Sequence, residues 1–156
     1  MRLTTRGHYG VRAMAQLARA YGKGPQPLSE VASREGLSAA YLEQLIVVLR
    51  KAGLVEATRG AHGGYQLSRP PAEISVGDVV RALEGPIAPD GCALDEEGDY
   101  SCQRESDCIT KNVWLRIRSS IIEALNSTKL ADFCEPLDGE AKCAQPVITT
   151  TARGDD

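Results

Sequence analysis

The stretch Ser29–Gly53, SEVASREGLSAAYLEQLIVVLRKAG, continued by Leu54–Ser68, LVEATRGAHGGYQLS, decides the fold. A short helix fits Ser29–Glu35, burying Val31 and Ala32. Gly36-Leu37 makes a tight turn, and Ser38 caps a longer helix over Ala39–Ala52 that Gly53 closes. Its apolar residues Leu42, Leu45, Ile46 and Leu49 recur at helical spacing, while the opposite side carries Ala40, Glu43, Gln44, Val47 and Arg50. Two extended segments follow, Leu54–Thr58 and Tyr65–Ser68, joined by Arg59-Gly60-Ala61-His62-Gly63-Gly64. The glycines of that connection permit positive φ and a sharp hairpin. Helix, tight turn, helix and glycine-tipped hairpin together form the pattern of a winged helix-turn-helix.

Working outward, Thr4 or Thr5 caps a first helix to about Tyr21, with Tyr9, Met14, Leu17, Ala18 and Tyr21 near one face. Gly22, Gly24, Pro25 and Pro27 end it. Beyond the hairpin, Pro70-Pro71 marks a break, and Ser75 caps a helix over Val76–Leu83 with Asp78 as its capping-box partner. Residues 85–111 read as a polar, cysteine-bearing loop. Asn112–Asn126 reads as a long amphipathic helix with Val113, Trp114, Ile117, Ile121 and Leu125 on one stripe, followed by a helical turn at Lys129–Phe133. The expected organisation is a DNA-binding winged helix over 1–84, a loop over 85–111, a long helix and short turn over 112–134, and a flexible tail over 135–156. The fold class is mainly α with a small β-hairpin wing.

The 156 residues suffice for one domain with an appendage. A net charge of −3 conceals an asymmetry: residues 1–84 hold 11 Lys and Arg against 7 Asp and Glu, residues 85–156 hold 7 against 14. A basic first half suits a polyanionic partner. No apolar run is long enough to span a membrane, and the first residues carry no apolar signal region, so a cytoplasmic protein is expected. The chain contains no C-x-x-C, phosphate-cradling glycine loop or Ser–His–acid set, so an enzyme is not expected.

A recognition helix needs small or polar residues near its N-terminus, where side chains reach base edges in the major groove of double-stranded DNA. Ser38, Ala39, Ala40, Tyr41, Glu43 and Gln44 meet that requirement. Gln44 suits adenine, Glu43 suits the cytosine amino group, and Ser38 offers a hydroxyl to a phosphate. Arg59, Gly60, His62 and Gly63 stand where a wing enters the minor groove or touches phosphates.

Five cysteines, Cys92, Cys102, Cys108, Cys134 and Cys143, all lie in the second half. The odd number argues for metal or redox chemistry rather than a disulfide framework. Cys92, Cys102 and Cys108 follow a C-x9-C-x5-C spacing, and clustered soft thiolates suit an iron–sulfur cluster or zinc. A thiol–disulfide switch uses the same residues. Cys134 and Cys143 read as a spare thiol pair, a switch, or residues without a role.

Five segments, Met1–Met14 (MRLTTRGHYGVRAM), Ser38–Leu45 (SAAYLEQL), Leu49–Val55 (LRKAGLV), Arg59–Leu67 (RGAHGGYQL) and Ser75–Gly85 (SVGDVVRALEG), closely resemble the IscR-type family of winged-helix iron–sulfur regulators. The resemblance covers roughly residues 1–134. It implies a homodimeric repressor or activator whose long C-terminal helix crosses to the partner, with Tyr41, Glu43, Gln44 and Arg59 at the matching DNA-contact positions. It also implies a cluster held by Cys92, Cys102 and Cys108. Lys111 stands where the IscR type has a histidine ligand, and a lysine ammonium is a poor ligand. In nitric-oxide-sensing relatives an aspartate near the start of the first helix ligates the partner's cluster, and His8 occupies that position here. Imidazole is a competent iron ligand; Asp107, Glu105 or an exogenous ligand are the alternatives. The IscR type implies 2Fe–2S, and the absent histidine keeps 4Fe–4S open.

Overall fold

The computed structural model describes residues 4–87 and 108–134. Five α-helices and a two-stranded hairpin are found there: α1 Thr5–Arg19, α2 Leu28–Glu35, α3 Ala39–Lys51, β1 Val55–Thr58, β2 Gly64–Leu67, α4 Val76–Glu84 and α5 Lys111–Ser127. Two single 3₁₀ turns, Pro71–Glu73 and Leu130–Phe133, complete them. This is the expected mainly α fold with a hairpin wing. The first helix stops at Arg19, earlier than Tyr21, with Ala20 as its C-cap. The second starts at Leu28 behind Pro27, whose fixed φ suits an entry without a side-chain cap. Pro70-Pro71, read as a break, opens a 3₁₀ turn with proline in its first position.

Local signals account for the helix ends. Gly36 at φ 65° closes α2 in the left-handed conformation. Ser38 accepts the Tyr41 amide at 3.2 Å, and Ser75 and Asp78 form a reciprocal capping box on α4. The core is built from the inward faces: Met14 and Leu17 of α1, Val31 of α2, Leu42, Leu45, Ile46 and Leu49 of α3, and Val79 of α4 are buried.

The hairpin pairs Val55 with Leu67 and Thr58 with Gly64, antiparallel. A third backbone piece joins it, because Gln26 donates to Tyr65 O at 2.8 Å and accepts from Tyr65 N at 2.9 Å. The loop after α1 thereby anchors the wing. At the other end, Val76 N donates to Thr128 O and Leu130 N to Ile74 O, both at 2.9 Å, so the exit of α5 is tied to the entry of α4. Leu130 is fully buried in the same core as Met14 and Leu42.

Helix α5 contains no buried residue. Its second half lays Ile121, Ile122 and Leu125 against Val76, Val80 and Ile87. Its first half projects, leaving Val113 53% and Ile117 37% exposed, with Ile109 at 96% just ahead of it.

Candidate nucleic-acid interface

Ser38, Ala39, Ala40, Glu43 and Gln44 are all exposed on one side of α3, and Tyr41 is half-buried. The inward residues Leu42, Leu45, Ile46 and Leu49 fasten α3 to the core, so its outward face is presented as a rigid surface. The Ser38 hydroxyl oxygen accepts the Tyr41 amide and so caps the helix N-terminus.

Tyr41 is held by neighbours that the sequence does not place together. Its ring meets Tyr9 of α1 edge-on, 6.2 Å between centroids at 86°. Arg12 lies over the Tyr9 ring at 5.6 Å and pairs with the Glu35 carboxylate at 2.5 Å. Gln16 donates to the other Glu35 oxygen at 2.6 Å. Edge-to-face rings and a stacked guanidinium restrict rotamers on all three helices. Tyr9 falls on the apolar face by spacing alone; its partner across the turn is a tertiary fact.

Arg6 was outside the expected site. It lines a concavity of about 630 Å³ with Ala40, Tyr41, Glu43, Gln44, Leu45, Val47 and Val48. A lone arginine in a first turn carries no sequence signal of its own, and only the approach of α1 to α3 brings it to this surface.

In the wing, Arg59, Gly60 and His62 are exposed and Gly63 is half-buried. Gly60 has φ 116°, and its carbonyl accepts the Gly63 amide at 2.9 Å. A Cβ on Gly63 would stand 2.3 Å from the Thr58 carbonyl oxygen, so the tip closes only without one. The two glycines shape the turn, and Arg59 and His62 are the side chains it displays.

Cys108 is half-buried, three residues before α5, with its sulfur 3.4 Å from the Thr110 hydroxyl. His8 is exposed on the first helical turn, its ring edge-on to Tyr9 at 5.4 Å. Cys134 is disulfide-bonded and buried. Cys92, Cys102 and Cys143, together with the alternatives Glu105 and Asp107, lie outside the described residues. Among the described residues no three His, Cys, Asp or Glu side chains converge, and no helix is long and apolar enough to cross a membrane.

A helix-turn-helix carrying an anchored wing meets known proteins at this point. Residues 3–136 match the family model Rrf2, described as an iron-dependent transcriptional regulator. The chain belongs to the Rrf2 family. It is 44% identical over 140 residues to the HTH-type transcriptional regulator CymR of Bacillus subtilis, covering 90% of this chain and 94% of that one. The solved structure of CymR, the global cysteine regulator of B. subtilis, superposes with a TM-score of 0.73 at 40% identity, over 85% of this chain and 95% of that one. The structure of T. potens IscR gives 0.67 at 48% identity, over 85% of both chains. This Rrf2 protein is therefore a DNA-binding, winged-helix transcription regulator, and its relatives are regulators rather than enzymes.

Proposed function

We propose that this chain is a homodimeric repressor whose operator binding is controlled by an iron–sulfur cluster held by Cys92, Cys102 and Cys108, with His8 as the fourth ligand. The observation that carries the proposal is the position of Cys108. It keeps a thiol three residues ahead of α5, where Ile109 and the helix residues Val113 and Ile117 are exposed. An apolar stripe of that kind needs a covering surface, and a second copy of α5 supplies a self-complementary one. The donor set suits iron: thiolate sulfur from Cys108 and imidazole nitrogen from an exposed His8. Cys134 is disulfide-bonded and is not among the proposed ligands.

A cluster held by Cys92, Cys102, Cys108 and His8 would supply a link sensitive to iron supply and oxidation. The chain's own residues do the rest. Helix α5 joins the subunits, and Glu84 at the end of α4 holds the start of α1 through its carboxylate. The spacing of two recognition helices is then set by what α5 and α1 hold between subunits, and half-sites about one helical turn apart are met in one state. Double-stranded operator DNA is contacted by Ser38, Ala39, Ala40, Tyr41, Glu43 and Gln44 in the major groove, and by Arg59, Gly60, His62 and Gly63 of the wing. A 2Fe–2S cluster is the favoured form.

A second reading keeps the DNA-binding dimer and replaces the cluster by thiol–disulfide or zinc control. It is favoured by the Cys134 disulfide and by similarity to a global cysteine regulator. The test is an anaerobic visible spectrum with iron and sulfide counts on fresh protein, beside a His8→Ala variant. A coloured cluster altered in His8→Ala supports the proposal in full, and an unaltered one removes His8. Colourless protein that resists reconstitution overturns cluster control in favour of the second reading.

A further inference from the structure

Val47 is 45% exposed, and among residues 4–87 it is the one large hydrophobic side chain so placed. The other four among the described residues, Ile109, Val113, Ile117 and Phe133, all belong to the C-terminal helix and its flanks. Val47 therefore stands apart from the apolar surface attributed above to the second subunit. It lies on α3 one turn beyond Glu43 and three residues beyond Gln44, with Ala40 two turns back along the same face. Ala40, Glu43, Gln44 and Val47 all line the same concavity, which Arg6 borders. Lys51 continues that face at the helix end and is also exposed.

We infer that Val47 is a specificity-determining residue that reads the 5-methyl group of a thymine in the major groove. The inference rests on the assignment of α3 as the DNA-reading helix. A valine left bare beside Glu43 and Gln44 gains nothing in the free protein. Against duplex DNA it meets the one apolar group that base edges present in the major groove, the thymine methyl. The flanking side chains fit the same target. Gln44 is shaped for adenine, and Arg6 and Lys51 give the rim the positive charge that phosphates require. A polar residue at position 47 would bond to a base edge or to water; valine does neither, and so favours an A·T pair over G·C.

The test first selects an operator from random duplexes with the full-length protein. Each thymine of the selected half-site is then replaced singly by deoxyuridine, which removes only the methyl group, and the Kd is measured for wild type, Val47→Ala and Val47→Ile. One thymine per half-site is expected at which uracil weakens wild-type binding about fourfold, the worth of one buried methyl-sized group. Val47→Ala binds the thymine operator with a similar loss and is indifferent to uracil at that position, whereas Val47→Ile keeps the discrimination. Uracil tolerated by wild type at every position, or penalties from uracil and Val47→Ala that simply add, would overturn the inference and leave DNA binding standing. Failure to enrich any duplex with either the cluster-loaded or the cluster-free protein would overturn the DNA-reading assignment of α3 and this inference with it.

Discussion

Glu84, the last residue of α4, accepts the Gly7 amide at 2.8 Å and caps α1 from 77 residues away. Thr4 donates its hydroxyl to the same carboxylate oxygen and accepts the Arg6 amide at 3.2 Å. An acidic side chain three residues inside a helix often completes its cap, but that position is Gly7, which has none. The acid arrives from another helix instead, and its charge meets the positive end of the α1 dipole. Glu84→Ala is expected to lower stability by about 1–2 kcal/mol. Glu84→Gln keeps an acceptor and is expected to lose less than half of that. Urea titrations of the three proteins, compared by midpoint at constant slope, decide it; equal midpoints for Glu84→Ala and wild type would refute the cap.

Gly64 and Gly10 are both close-approach glycines with different consequences. A Cβ on Gly64 would lie 2.4 Å from the Gln26 carbonyl oxygen, backbone against backbone. The Gln26–Tyr65 bridge must then open, and Gly64→Ala is expected to cost about 2–3 kcal/mol and to weaken operator binding by releasing the wing. A Cβ on Gly10 would lie 2.0 Å from Leu83 Cδ1, the end of a side chain that can rotate. The helix propensity gained by alanine, about 1 kcal/mol, offsets part of that clash. Thermal melts should therefore rank Gly64→Ala well below Gly10→Ala, and the reverse order would contradict this account.

Asp78 sets an acid limit. Burial alone pushes its carboxyl up, but the Ser75 amide at 2.9 Å, the Ser75 hydroxyl and the Arg81 guanidinium at 2.9 Å outweigh it and hold the group below its ordinary 3.8. A carboxyl depressed in the folded state stabilises fully above its unfolded value and loses that contribution as pH falls through the folded one. Stability is thus expected to decline below about pH 3.8, where the unfolded carboxylate begins to take up protons first. Asp78→Asn should flatten that part of the curve. Denaturation midpoints collected from pH 6 downward, roughly to pH 2.5, compare the two proteins; parallel curves would exclude the assignment.

Arg59 is exposed at the root of the wing tip, next to Gly60 at positive φ. If it neutralises a phosphate, Arg59→Ala weakens all duplexes alike and reduces the slope of log K against log salt by about 1. If it enters the minor groove, it weakens A·T-rich sites selectively. Binding isotherms at several salt concentrations, on a selected operator and on an unrelated duplex, distinguish the two, and an unchanged affinity on both would remove Arg59 from the interface.

Helical spacing and caps depend on residues three or four apart, so the sequence by itself determined α2, the turn at Gly36, α3 and the wing. It also determined which side of α3 is presented, since Leu42, Leu45, Ile46 and Leu49 could be buried only by turning Ala40, Glu43, Gln44 and Val47 outward. The three-cysteine spacing was legible from residue type and order along the chain, and Cys92 and Cys102 lie outside the described residues. Tertiary structure alone decided the rest. It brought Glu84 to Gly7, Gln26 to Tyr65, Tyr9 to Tyr41 and Leu130 into the core, pairings between segments distant along the chain. No periodicity encodes those meetings, because each depends on the angle at which whole helices pack. The side of α3 was written in its own residues, whereas Arg6 beside it, and the isolation of Val47 among the exposed apolar groups, followed from what the other helices covered.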